Sequence, residues 1–239
     1  MRKLGIIGGA SWSSTALYYD HINRAVAKRL GGLHSARLVI ESLDFEDDYA
    51  RFHRDNDWEG ADRVIVGAAT RLKAAGADGL LLASNTMHKN AKAVADATGL
   101  PLVDIREVTA AQIASDRRSR VALLGTRFTM TEPWARGPYE ERGIILQELS
   151  PEWRAEVDRI IYEELAGGRV VRDSQRKLKT LITELQKQKV QAVILGCTEL
   201  VMAVDVRANV IPVYDTTEIH ARAAVDWMLE DEAQARAAA

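Results

Sequence analysis

Short apolar runs alternate along the chain with longer stretches whose apolar positions recur at helical spacing. The runs at 4–7, 36–42, 79–82, 102–104, 121–124, 144–148, 192–195 and 210–213 predict β-strands. Between them, 15–30, 58–75, 91–98, 155–166 and 172–188 predict helices. Strand alternating with helix is the pattern of a parallel sheet with crossover helices, so the fold class is α/β. The Ala-rich tail after Glu230 is expected to fray.

The pattern also repeats. "KLGIIGGASWSST" from Lys3 has a counterpart in "RVALLGTRFTMT" from Arg120, "ADGLLLASNT" from Ala77 in "VQAVILGCTE" from Val190, and "PLVDIREVTA" from Pro101 in "PVYDTTEIHA" from Pro212. The matches fall in one order, at offsets of 117, 113 and 111 residues. They predict two similar doubly wound α/β halves, with the first formed by 1–97 plus 211–239 and the second by 98–210. Superposing the halves sets Ser84 against Cys197, Asn85 against Thr198 and Thr86 against Glu199. Ligands of open parallel sheets bind beyond the carboxyl ends of the strands, where both bursts of polar residues fall. If the halves face each other about a pseudo-two-fold axis, a small molecule in the interdomain cleft meets Ser84 on one side and Cys197 on the other.

Several residues at these strand ends have chemistry to offer. Cys197 sits where a strand turns into a helix, and amide N–H groups there are expected to favour the thiolate and lower its pKa. The alternative is a buried structural thiol. Ser84, Asn85 and Thr86 either cap a helix near His88 or build a pocket for a carboxylate. Thr126, Thr198 and Glu199 offer donors and an acceptor for the other end of a ligand. "GGASWSST" from Gly8 to Thr15, with Gly9, Ala10, Ser11 and Ser14, is a glycine-rich strand-to-helix loop. It lacks the spacing of a dinucleotide loop and a P-loop lysine, which leaves a smaller anion such as a carboxylate. His88 and His220 stand alone, without metal-ligand spacing, so no zinc site is expected. The charged stretch 44–60 reads as a solvated loop from which Arg51, His53 or Arg54 could reach a cleft.

Composition narrows the class without changing this picture. The 239 residues are 47% hydrophobic and 28% charged with a net charge of −2, and the basic residues are scattered, so neither nucleic acid nor membrane is an expected partner. No apolar run approaches the ~20 residues that span a bilayer, and the first apolar run is broken at Gly8 and Gly9, too short for a secretory signal. One cysteine excludes an internal disulfide and a cysteine metal cluster. A cytoplasmic protein is the expectation.

"GIIGGASWSST", "RLGGLHSA", "SNTMHK", "VALLGT", "EEL" at 163–165, "GCTEL" and the "P.YDT..IHA" pattern at 212–221 together resemble the aspartate/glutamate racemase family over nearly the whole chain. The resemblance implies two flavodoxin-like domains sharing a cleft, usually in homodimers, that bind a small amino acid. It also implies neither pyridoxal phosphate nor metal, and a Cα proton removed from one face and returned to the other. Typical members place one cysteine in each half. Here Cys197 is present, but the first-half position is Ser84, whose alkoxide is far less accessible than a thiolate. The expected roles are Cys197 as base and Ser84 as proton donor or relay. Members that select acidic side chains carry basic residues near the cleft, whereas this chain has Glu163 and Glu164. An acidic pair there would repel an aspartate side chain, which points to a broader or neutral substrate, with Arg51 or Arg54 as the route back to acidic ones. Two other readings fit a lone thiol: a decarboxylase-like relative that protonates a carbanion from one face, and an amino-acid-binding protein that has lost catalysis.

Overall fold

A computed structural model describes residues 1–237, with the side chains of His53 and of 232–237 left outside the description. In the first half the elements are β1 (Leu4–Gly8), α1 (Trp12–Leu30), β2 (Leu38–Ser42), a π-helical turn at Phe45–Ala50, α2 (Arg51–Asp55), α3 (Trp58–Ala74), β3 (Gly79–Leu82), a 3-10 turn at Thr86–Asn90, α4 (Ala91–Thr98) and β4 (Leu102–Val103). The second half follows with α5 (Ile105–Ser115), β5 (Arg120–Gly125), α6 (Arg127–Thr131), α7 (Pro133–Glu140), β6 (Ile145–Leu146), α8 (Pro151–Glu163), a 3-10 turn at Leu165–Gly167, α9 (Arg172–Lys187), β7 (Ala192–Gly196), a 3-10 turn at Thr198–Met202 and β8 (Val213–Asp215). The long α10 (Thr216–Ala237) closes the chain, so the tail expected to fray after Glu230 is helical as far as it is described.

Two parallel four-stranded sheets result, ordered β2-β1-β3-β4 and β6-β5-β7-β8. The orders are the same once the halves are aligned. β1, β3 and β7 are buried along their whole length, and β5 beyond its first residue, as strands covered by helices on both faces must be. Ile7, Leu80 and Leu82 pack with Ile65, Ala68, Ala69 and Leu72 of α3 in the first core. Leu124, Val193 and Leu195 pack with Ile160, Ile161, Leu178, Leu181 and Leu185 of α8 and α9 in the second. None of the described helices is long and apolar enough to cross a membrane.

The chain divides into a first unit of Met1–Asp104 with His220–Ala239 and a second of Ile105–Ile219. Both divisions come later than the expected 98 and 211, and the reason is strand pairing. β4 adds to β3 through Leu80–Leu102 and Leu81–Val103, and β8 adds to β7 through Val193–Val213, so each closing strand stays with the sheet preceding it. The stretch 44–60, read from its charge as a loop, is helical instead: Tyr49, Ala50 and Phe52 are buried, and apolar anchors at that spacing outweigh the surrounding acids.

From His220 onward α10 belongs to the first unit. The fully buried His220 donates from Nε2 to the Val103 carbonyl at 2.8 Å and accepts at Nδ1 from the Tyr18 hydroxyl at 2.9 Å. Burial and the nearby His88 push its pKa down to about 3, against the pull of the Val103 carbonyl and Asp104. Since the unfolded ring titrates near 6.5, the folded chain binds fewer protons below that pH. The stability gained from the neutral ring is therefore complete above pH 6.5 and declines toward pH 3. Urea midpoints should fall between pH 7 and pH 5 more steeply in the native chain than in His220→Gln; parallel slopes would refute this.

Candidate active site

In the first unit the candidate residues gather at the carboxyl ends of β1 and β3. Gly9 holds φ +89°, and a Cβ there would strike the Leu43 backbone, so this turn requires glycine. Its N–H donates to Thr15 Oγ1 at 2.9 Å, and the Thr15 hydroxyl donates to the Ser11 carbonyl at 3.1 Å. Ser11 caps α1 by accepting from the Ser14 N–H, and no acid occupies the first turn of that 19-residue helix. Ala10 and Ser11 are half-buried and Ser14 is buried. The loop is thus closed on itself, with the positive end of a long helix behind it.

At the tip of β3, Ser84 is half-buried, and its hydroxyl has no hydrogen-bond partner among the described residues. Asn85 and Thr86 are buried. The expected side-chain cap at this turn is absent: the 3-10 turn starts from Asn85 in helical conformation without a side-chain cap bond. The buried Asn90 ends the turn, accepting from the Tyr49 hydroxyl at 2.7 Å and donating to Asp62 at 2.8 Å. Through Tyr49 the segment bearing Arg51 is tied to the turn bearing Ser84. Of the two candidate cations, Arg54 is paired with Glu46 at 2.8 Å. Arg51 is exposed, lies over the Phe52 ring at 4.6 Å and meets no carboxylate among the described residues. The His53 side chain lies outside the described residues.

In the second unit, Gly125 and Gly196 pair at the ends of β5 and β7, setting Thr126 beside Cys197. A Cβ on Gly196 would come 2.7 Å from Leu123 Cδ1 and 3.1 Å from the Leu124 carbonyl, a tight fit that only a shift of these neighbours would admit. Thr126 caps α6 at Thr129. Cys197 is 8% exposed and donates from Sγ to Glu199 Oε2 at 2.9 Å. The same oxygen accepts from the Thr198 hydroxyl at 2.8 Å. Burial pushes the thiol well above its ordinary pKa and the adjoining carboxylate adds to that, so the expected lowering is reversed. The helix that was to favour the thiolate is a five-residue 3-10 turn with Glu199 in its first turn. At rest the sulfur carries its proton.

Glu164 is buried, accepting at Oε1 from Arg159 at 2.8 Å and from the Ser174 hydroxyl at 2.9 Å. Burial pulls its carboxyl upward, but the bonds from Ser174 and Arg159 outweigh that and leave it below the ordinary value. Glu163 is exposed, 3.4 Å from Arg159. Arg159 thus contacts both acids expected to repel an aspartate side chain, but it also bonds Glu156 at 2.9 and 3.0 Å, so one cation is shared among three carboxylates. The sequence reasoning missed Tyr162 and Asp158, one helical turn apart on α8. Partial burial pushes the Tyr162 phenol up, and Asp158, Cys197 and Glu199 push the same way. Asp158 accepts from the Arg127 N–H at 2.7 Å. The i, i+4 spacing of an acid and a tyrosine on a predicted helix is the signal that was available.

The Cys197–Glu199 contact has a direct test. Glu199→Gln removes the charge while keeping the shape, so the thiol pKa should drop. Alkylation by iodoacetamide at pH 7 should then quicken by about tenfold, one pKa unit, with its pH midpoint moved down. An unchanged midpoint would show that Glu199 does not hold the proton on sulfur.

Residues 7–224 match the family model described as Asp/Glu/hydantoin racemase. The chain is 24% identical over 233 residues to the broad-specificity amino-acid racemase RacX of Bacillus subtilis, covering 95% of this chain and 98% of that one. Among solved structures it is similar to a Yersinia pestis protein described as a candidate Asp/Glu racemase, with 42% identity, TM-score 0.89, and 96% and 100% of the two chains covered. It is also similar to an aspartate racemase homologue from Pyrococcus horikoshii, with 32% identity, TM-score 0.80, and 95% and 99% covered. Polar strand tips repeated on two matching sheets and a family match spanning both of them agree: the chain belongs to the Asp/Glu/hydantoin racemase family and is an isomerase.

Proposed function

We propose that the protein racemises an amino acid without a bound cofactor, with Cys197 and Ser84 serving opposite faces of the substrate Cα. The observation that carries this reading is the equivalence of the two positions. Each follows the central buried strand β3 or β7 and precedes a five-residue 3-10 turn, at the same place in sheets of the same strand order.

The chemistry follows from how each group is held. Cys197 rests as a thiol bonded to Glu199. Arrival of a substrate ammonium stabilises negative charge on sulfur; the thiol proton then passes to Glu199, which becomes neutral, and the thiolate takes the Cα proton. The carbanion is then protonated from the Ser84 side. A serine hydroxyl is a poor base near neutral pH, so Ser84 donates or relays a proton, and turnover is unequal in the two directions. The N-terminus of α1, the loop at 9–14, Asn85, Thr86, Thr126 and Thr198 are the proposed contacts of the α-carboxylate and α-amino group. Arg51 is the proposed partner of an acidic side chain, through which aspartate and glutamate are substrates beside neutral amino acids.

A panel of L- and D-amino acids in D₂O, with Cα–H loss followed by NMR, tests this. Cys197→Ala should abolish exchange, and Ser84→Cys should raise racemisation by about tenfold or more. Normal exchange in Cys197→Ala would overturn the assignment. Carbon dioxide release from disubstituted malonates would favour the decarboxylase reading, and neither reaction the binding one. For acidic substrates, Arg51→Ala should raise KM about tenfold or more while leaving alanine little changed, the loss of one charge-assisted contact. An equal effect on both would remove Arg51 from the side-chain site.

A further inference from the structure

The two strand tips are held by different devices. In the second unit the grip falls on the reactive side chain, through the bond from Cys197 to Glu199. In the first unit it falls on the backbone. His88, 1% exposed, bonds through ring Nδ1 to the Ser84 carbonyl at 2.8 Å, and its own N–H closes the turn on the Asn85 carbonyl at 3.1 Å. A carbonyl only accepts, so Nδ1 carries the proton and the tautomer is settled. The ring packs on a held neighbour: it stands edge-to-face to His220 at 5.6 Å, and His220 is anchored on both sides, by Val103 and by Tyr18 of α1. The repeat offset of 113 residues sets His88 against Val201, which has no side-chain donor, so the second half has no equivalent brace.

We propose that His88 is a positioning residue for the Ser84 face, fixing the Ser84 carbonyl so that the neighbouring hydroxyl stays unengaged and directed by the backbone alone. The proposal rests on the racemase reading and adds a residue that touches no substrate. A hydroxyl bound into the protein would have to break that bond before serving a carbanion. Holding the adjacent carbonyl instead restrains the serine without occupying its oxygen. The anchoring through Tyr18 carries the same restraint to the helix that begins at the glycine-rich loop.

The two faces can be read separately in D₂O. Exchange into recovered substrate, without inversion, needs only Cys197; inversion needs the Ser84 face as well. His88→Leu should leave exchange into the enantiomer served by Cys197 within about twofold while lowering inversion by about tenfold or more. His88→Asn, which keeps an N–H donor at the δ position, should recover most of the inversion, and Ser84→Ala should reproduce the His88→Leu pattern. Exchange and inversion falling together in both His88 variants, alongside a lowered Tm, would reduce His88 to a structural role and overturn the proposal. So would unchanged inversion in His88→Leu. Should that variant fail to fold, His88→Asn decides alone: retained inversion supports the proposal, and a tenfold loss overturns it. Absence of exchange in the wild type overturns the racemase reading itself, an outcome distinct from any of these.

Discussion

A parallel strand covered by helices on both faces has nowhere along its length to put a polar side chain. The carbonyls and amides of β1, β3, β5 and β7 are consumed by their neighbours, and the side chains between are apolar because anything else would be buried without a partner. Polar chemistry is therefore pushed to the strand ends, where backbone groups come free and a new turn begins. Glycine at 9 lets the chain turn there against the Leu43 backbone. Serine, cysteine and their hydroxylated neighbours follow directly, and the rest of the structure depends on that expulsion.

The two tips share a position but differ in how they are restrained. Cys197 is packed into the second core with Leu195 and Leu200, and its proton is kept by burial and by Glu199. A thiol held protonated is a weak nucleophile and a weak base. Ser84 is half-exposed and chemically weaker, and the turn around it is fastened by His88 and Asn90 rather than through its hydroxyl. Duplication supplied two equivalent places, and side-chain choice after them made the places unequal.

Much of this was legible in the order of residues. Most strand positions, the repeat with its offsets and the equivalence of 84 with 197 follow from periodicity and spacing, and α4 begins and ends where the pattern predicts; the runs at 144–148 and 210–213 yield only the short strands Ile145–Leu146 and Val213–Asp215. The misreadings have common causes. The stretch 44–60 was read from its charge, while Tyr49 and Phe52 decide its structure by packing. Glu164 was read as a bare charge, although Arg159 lies five residues before it and Ser174 ten after. The thiol was given a helix dipole, yet the helix is one 3-10 turn and the nearest charge is negative. His88 stands as a lone histidine in the sequence because its partner is a backbone carbonyl, which leaves no mark in composition.

By itself the sequence determined that this chain is two copies of one α/β plan with polar groups at matching strand ends, because side-chain period and apolar run length are local properties that a single pass can read. Tertiary structure alone decided which sheet each closing strand joins, which charges are paired, that the sulfur at 197 keeps its proton and that the hydroxyl at 84 bonds none of the described residues. Those outcomes depend on distances between residues far apart in the chain and on exclusion of water, which come into being only when the chain has folded.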